Sequence, residues 1–499
     1  MGNTENFSQF RRQSKKGILV IYLNILYKAF RAFWIFLFLF IQKFSKISES
    51  TLFYIYIGVA VLFFFFLIRA FLIFKNFQFK IENQHFILKR GIIKKTNTSI
   101  PFDRIQNINF KQNIIQQIIN VHELNIETAG SSKAEISIKA LSFEEATSLK
   151  KAVTIFDKTA IESGIETVEK PLLKVGLFEL IKVSLTENHL QSLLLLVAVL
   201  IGFFQQINEL FESLGKQKLL DNYISENTSS LENSVIIITG LLLFFTVIAV
   251  LSSVVRVVLR HYNLTVLVKN NALEIYQGLI TKNAVILKKD KVQHITISDN
   301  PIKKKLGISF ITFKQAISGK VKKKQDKVIK IVGCKEAQIR AIKELLFPDE
   351  NLAGIDKNFP DSYFKIRLYL RGAILVLIAN SISYVAMNNG FLFLGNILII
   401  PIIIFFIELK FRKRYYLFND DLLLVAQGTI ENHKTYVPFF KVQNIAIKQT
   451  IFQAKKNVAD IVLQTASGKV KIPCISIEKA QQLYNYTLFK VETSQKLWM

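Results

Sequence analysis

Apolar residues follow two patterns that alternate along the chain. The first is the long unbroken run: Leu19–Phe40, Leu52–Phe74, Leu190–Phe204, Val235–Val258, Tyr369–Met387 and Phe391–Ile407. A helix needs about 20 mostly apolar residues to cross the hydrocarbon of a bilayer. The runs approach or exceed that length, so six transmembrane helices in three pairs are expected. Lys28 and Arg31 weaken the first, Asn380, Ser381 and Ser383 interrupt the fifth, and Pro401 predicts a kink in the sixth. The first run is too long for a cleavable signal and a second span follows at once.

After each pair the period drops to two, the signature of strands. The three soluble segments align without a gap: Phe79–Ile108, Val266–Ile295 and Tyr416–Ile445. Gly91, Gly278 and Gly428 are equivalent, as are Arg104, Lys291 and Lys441, then Gln106, Gln293 and Gln443, and further on Ala129, Ala316 and Ala466. Coincident spacings over such a length mark an internal repeat. In the first copy Phe79, Ile81, Phe86 and Leu88 flank Glu82-Asn83-Gln84, which predicts a hairpin. Asn270-Asn271 and Asn419-Asp420-Asp421 supply the turn in the other copies. The three glycines predict a bulge or turn at positive φ. Each copy closes with an amphipathic helix. Ser142 and Glu145 have capping-box spacing, and Phe143, Ala146, Leu149 and Val153 form one stripe. Ile339, Ile342 and Leu346 form the stripe in the second copy, and Ala480, Leu483, Tyr484 and Leu488 in the third. Several short strands followed by a helix predict a small barrel or bent sheet covered by that helix.

The expected boundaries are an N-terminal segment with the first helix pair over 1–76, a β-domain over 77–156, a linker or interfacial segment over 157–187, the second pair over 188–260, a β-domain over 261–347, a linker over 348–368, the third pair over 369–410 and a β-domain over 411–491. Arg11, Arg12, Lys15 and Lys16 precede the first span, whereas Glu209, Glu212, Asp221, Glu226 and Glu232 crowd the loop after the third. The excess of cations on the inner side sets orientation. The N-terminus and all three β-domains are therefore expected in the cytoplasm, at a bacterial inner membrane. Pro171–Ile181 and Pro360–Arg371 mix apolar and charged positions, and could lie along the headgroup layer or pack on a barrel.

Charge adds a partner class. The net charge is +28, which favours polyanionic neighbours. The lipid bilayer is the expected one, with anionic headgroups a candidate ligand and a second membrane protein or self-association the alternatives. The basic run of the second copy lacks the interleaved aromatics that stack on bases, so nucleic acid is not expected. Only Cys334 and Cys474 occur, too few for a disulfide framework or a cluster of three or more thiolates. The histidines show no HExxH spacing, and neither a Gly-rich phosphate loop nor a G-x-S-x-G elbow is present. No catalytic, cofactor-binding or metal-binding residue is assigned, and an enzyme is not expected. The candidates for anion or partner binding are the repeated Arg104, Lys291, Lys441, Gln106, Gln293 and Gln443, together with Lys303, Lys304, Lys305, Lys322, Lys323 and Lys324 of the second copy. The competing reading makes the repeated residues part of the fold: a solvated strand neighbour and a glutamine that satisfies backbone at a sheet edge.

The block Ile100-Pro101-Phe102-Asp103-Arg104-Ile105-Gln106-Asn107-Ile108, with Glu127-Thr128-Ala129-Gly130, resembles the bacterial pleckstrin-homology-like domain of the membrane-flanked type (bPH2). Val437-Pro438-Phe439-Phe440-Lys441-Val442-Gln443-Asn444 matches it well. The second copy departs, with Lys288 in place of the proline and His294 in place of the asparagine. The whole arrangement is similar to the YdbT-like membrane proteins. The resemblance implies a seven-stranded bent barrel capped by a C-terminal helix, and it supplies no catalytic residues. The functional expectation is a non-enzymatic membrane scaffold, by analogy in envelope stress or resistance to membrane-active agents. Transport or export of a hydrophobic or peptide substrate is the second expectation.

Overall fold

The computed structural model describes residues 7–43, 48–128, 136–155, 171–187, 192–199, 231–269, 272–316, 329–348, 354–387 and 390–496, with isolated positions between 189 and 222 and Leu352. Among these, four helical segments are long and apolar enough to cross a bilayer: Gly17–Trp34, Glu49–Lys75, Thr239–His261 and Phe393–Arg412. Four of the six expected spans thus meet the length and composition of a crossing helix among the described residues. The run Leu190–Phe204 lies largely outside the described residues. Tyr369–Met387 falls within a helix, Ser362–Met387, whose polar residues lower its apolarity. Gly17–Lys43 packs on Glu49–Lys75 and Ser362–Met387 on Asn396–Arg412, and the helices turn most of their described apolar side chains outward, with Tyr54, Phe64 and Leu375 exposed. Ile21, Ala70 and Phe74 hold the first pair together. In the third, Gly372 lets Ile403 approach so closely that a Cβ would meet it at 3.1 Å. Asn380 and Asn396 exchange side-chain hydrogen bonds of 3.1 and 3.3 Å across the pair. These polar residues therefore serve helix association.

Each copy contributes two three-stranded antiparallel units. The first copy holds β1 (Gln78–Glu82), β2 (His85–Arg90) and β3 (Thr96–Pro101), then β4 (Ile105–Gln112), β5 (His122–Thr128) and β6 (Ile136–Leu141). The second copy adds β7 (Leu173–Lys174) ahead of β8 (Thr265–Lys269), β9 (Ala272–Gln277) and β10 (Lys282–Lys288), then β11 (Val292–Asp299), β12 (Ser309–Gln315) and β13 (Ile329–Cys334). The third comprises β14 (Tyr415–Phe418), β15 (Leu422–Gly428) and β16 (Asn432–Pro438), then β17 (Val442–Lys448), β18 (Val458–Thr465) and β19 (Gly468–Ser476). Among the described residues seven strands arise only in the second copy, through β7. Elsewhere the incoming chain reaches the first strand by an isolated bridge, Arg11 to Phe79 and Asn358 to Tyr416. These bridges are equivalent to the β7–β8 pair Leu173 to Val266.

Local chemistry explains the turns. Asn83 and Gln84 both take positive φ, 48° and 61°, as a tight β1–β2 hairpin demands. In the third copy the Asn419 carboxamide oxygen instead accepts from the backbone N–H of Asp421 and Leu422, at 3.1 and 2.8 Å. Asn270-Asn271 lies outside the described residues. Gly91, Gly278 and Gly428 have φ of 116°, 108° and 150°, and a Cβ on any of them would meet a carbonyl oxygen three residues on at 2.0 Å. The expected capping box forms: Glu145 N–H donates to Ser142 Oγ, and Ser142 N–H to Glu145 Oε2.

The copies do not stand apart. The strand order β6-β5-β4-β10-β9-β8-β7 is one sheet built from the first two copies, and β13-β12-β11-β16-β15-β14 is one sheet built from the last two. The registers at the two joints are the same. Ile108 stands opposite Ile286 at the first and Ile295 opposite Tyr436 at the second. In the gap-free alignment Ile108 is Ile295, and Ile286 is Tyr436. The cores run on through the joints. Ala272 and Ile286 join the first core, and Leu417, Leu424 and Tyr436 join the second. Full burial of a leucine or isoleucine side chain such as these is worth about 1.5–3 kcal/mol.

Candidate functional site

The glycine turns aim apolar tips. Two residues after each glycine comes an isoleucine, and Ile93, Ile280 and Ile430 are exposed by 98%, 42% and 55%. The turn lies at the end of a membrane helix. Gly278 N–H donates to the Tyr262 carbonyl, and Leu279 N–H to that of Leu259. Lys413 Nζ, just past the Asn396–Arg412 helix, reaches the carbonyls of Thr429 and Ile430 at 2.6 and 3.1 Å.

A second set of tips comes from the short helix that follows the fourth strand of each copy: Ile114–Ile118, Pro301–Lys305 and Ile451–Ala454. Each begins at a capping side chain, Asn113, Asn300 or Thr450, which accepts the N–H three residues on. Ile114 and Ile118, Ile302 and Leu306, and Ile451 and Phe452 are all exposed. This end of the barrel also abuts membrane helices. Lys16 Nζ donates to the Ile119 carbonyl at 2.8 Å, and Val20 packs with Val121. In the third copy Gln453 Nε2 binds Asp460, whose other oxygen lies 3.2 Å from Arg367 of the Ser362–Met387 helix. The Leu177–Leu185 helix of the interfacial segment serves two sides: Leu180 and Val183 enter the core of the second copy, while Leu177, Phe178, Ile181 and Leu185 remain exposed.

The charged candidates divide between this surface and the joints. Lys305 is exposed beside Ile302, and Lys304 lies 3.5 Å from Asp299. Lys303 is buried, pairs with Glu431 of the third copy and sits 3.7 Å above the Phe310 ring. Lys441 is also buried and donates to the Asp290 carbonyl of the second copy at 2.6 Å. Burial pushes its ammonium down to about 8, opposed by Asp290 and aided by Lys291. Lys291 lies 3.5 Å from Asp290, and Arg104 is exposed. Lys322, Lys323 and Lys324 lie outside the described residues. Among the described residues these cations are spread between the exposed tips and the joints.

The repeated glutamines sit where the fourth strand slips register against the fifth, between Ile105 and Asn107, Val292 and His294, and Val442 and Asn444. Each is the extra residue of a bulge. Gln293 is fully buried and Gln443 exposed, and the side chain of Gln106 is outside the described set. Sequence reasoning missed the next position. Asn107 exchanges hydrogen bonds with Gln315 of the second copy, and His294 Nδ1 lies 2.9 Å from Ser467 Oγ of the third. A groove of about 800 Å³ opens at the first joint, lined by Phe110, Lys111, His122, Phe143, Tyr262 and Lys282 among others. Burial, then Lys282, lowers the His122 pKa.

Membrane-capable helices that lead into three pairs of three-stranded units, each closed by a helix (Phe143–Ile155, Glu336–Leu346 and Ile477–Thr493), define a membrane-anchored array of PH-like domains. The chain belongs to the bacterial PH domain family, which matches residues 32–154, 223–348 and 373–488. It is similar to the UPF0699 transmembrane protein YdbT of Bacillus subtilis (strain 168), with 24% identity over 442 residues and 85% of each chain covered.

Proposed function

We propose that this protein is a non-enzymatic membrane scaffold whose three PH-like units form one cytoplasmic platform pressed against anionic lipid. The observation that carries this reading is the threefold recurrence of exposed apolar tips, which lie beside a membrane helix at the glycine turns of the second and third copies and at the short helices of the first and third. Isolated exposed isoleucines are ordinary. Their recurrence at Ile93, Ile280 and Ile430, and again on the three short helices, fits a surface that dips into the headgroup layer. Lys305 and the exposed Lys455 and Lys456 stand beside those tips. A basic residue near an anionic surface gains about 1 kcal/mol. In this reading the chain crosses the membrane six times, with its basic N-terminal flank inside. A role in envelope stress or resistance to membrane-active agents follows by analogy only.

The test places a nitroxide at Ile430→Cys or Ile451→Cys in the full chain, in nanodiscs of neutral or anionic lipid. Both labels are expected to collide with lipid-soluble oxygen more than with a water-soluble nickel chelate, the more so in anionic lipid and less at high salt. Aqueous accessibility equal to that of a label at Lys434 in both lipids would sink the proposal.

A further inference from the structure

Two strand edges in the chain repeat the pairing rule of the joints and have no strand on them among the described residues. At both joints the fourth strand of one copy pairs with the third strand of the next, β4 with β10 and β11 with β16. The rule leaves one third strand, β3, and one fourth strand, β17. Both carry the exposure of an open edge. Ser99 is exposed, whereas its equivalents Ile286 and Tyr436 are buried. Gln443 and Asn444 are exposed, whereas Gln293, His294 and Asn107 are buried. The first-strand edges, by contrast, are met in every copy by the incoming chain.

We infer that β17 of one chain pairs with β3 of a second copy of the same chain, with Ile445 opposite Ser99, so that a third joint of the same register links chain to chain. Lys448, the charge within β17, takes the place of Lys111, which pairs opposite Asn283 at the first joint. Thr96 to Ser99 holds neither charge nor proline, the devices that usually protect an open strand. Pro101 lies beyond the paired stretch, as Pro438 does at the second joint, where pairing runs from Asn432 to Tyr436. The bulge in β17 recurs in β4 and β11, which pair regardless. Arg104, exposed here, occupies the place of Lys441, whose ammonium binds a backbone carbonyl across the second joint. In the third joint that carbonyl is Phe440 of the other chain. Each copy's first strand starts within a few residues of its membrane helix, Lys75 to Gln78, His261 to Thr265 and Arg412 to Tyr415. Repeating the step therefore keeps the next chain's helices in the same bilayer. The interface is head-to-tail, and such contacts make closed rings or open arcs rather than two-fold dimers. The inference rests on strand pairing and stands whether or not headgroups bind.

The test uses the full chain in membranes. Two differently tagged chains are co-expressed, one with Thr98→Cys and the other with Ala446→Cys, the pair equivalent to Val285 with Asn109 and to Thr435 with Thr296. Oxidation is expected to give a disulfide-linked heterodimer at least about tenfold above Asn97→Cys with Ala446→Cys, because neighbouring residues face opposite sides of a sheet. The native Cys334 and Cys474 are buried and do not compete. Equal yields from the two pairs, or cross-linking only within one chain that carries both cysteines, would overturn the inference. An independent variant, Ala446→Lys, is expected to cut co-purification of the two tagged chains by about tenfold at an unchanged melting temperature. Undiminished co-purification would overturn it equally.

Discussion

The Nδ1 atom of His294 in the second copy lies 2.9 Å from the Ser467 hydroxyl of the third. Burial, with Lys314 adding to it, lowers the His294 pKa to about 4. An unfolded histidine titrates near 6.5, so between those values the unfolded chain binds more protons than the folded one. The contribution of this joint is complete above about pH 6.5 and declines as pH falls toward 4. The protection factors for amide hydrogen exchange across Asn432–Tyr436, which divide out the intrinsic pH dependence of exchange, are expected to fall over that window. The slope flattens in His294→Gln, and an identical slope in that variant would refute the assignment.

Gly428→Ala is expected to destabilise the protein by about 1–3 kcal/mol. The new methyl would strike the Glu431 carbonyl at 2.0 Å, at a φ of 150° that side chains avoid. Gly240→Ala, which meets nothing within 4 Å, is the matched control and is expected to be neutral. Thermal unfolding in detergent reads both.

Asp460 ties the third barrel to its membrane helices. It accepts from Cys474 N–H at 2.8 Å and Gln453 at 2.9 Å, and it pairs with Lys471 at 2.7 Å and Arg367 at 3.2 Å. Burial alone would raise its pKa, but these donors outweigh burial and hold it below the ordinary carboxylate value. Its stabilisation is present above about pH 4 and lost as pH falls through the lowered value. Asp460→Ala leaves Arg367 poorly compensated, with an expected cost of about 3–5 kcal/mol. Protease is expected to cut the variant between Asn358 and Tyr363 more readily. An unchanged digestion rate would count against the tie.

Lys303 reaches Glu431 across the second joint with its ammonium above Phe310. Lys303→Met keeps the contact with the ring and is expected to cost under about 1.5 kcal/mol. Lys303→Ala removes both contacts and is expected to cost about 2–4 kcal/mol. If the two variants melted together, packing along the lysine stem would be irrelevant.

The repeat, the strand period, the hairpin at Asn83-Gln84, the three glycines and the Ser142–Glu145 cap were all legible in the sequence, because each is set by neighbours within a few residues. The joints were not. Which strand covers β4 depends on a β10 far along the chain, and no local pattern names it. Lys303, in the basic run of the second copy, and Lys441, at the repeated basic position of the third, look like free cations but are buried between copies. His294, which departs from the repeated asparagine, occupies a position used for contact between units. The apolar tips were also hidden, since Ile93 or Ile118 reads as ordinary core until burial is known.

The middle unit is the one with neighbours on both flanks: β10 leans on β4 and β11 on β16. Cutting it free would bare two ladders of unsatisfied amides and carbonyls at once, together with the greasy seams around Ile286 and Ile297. A fragment carrying the second unit alone is thus a poor soluble reagent. Removing either end unit still bares one of these ladders, so only a chain that holds all three units keeps both seams closed.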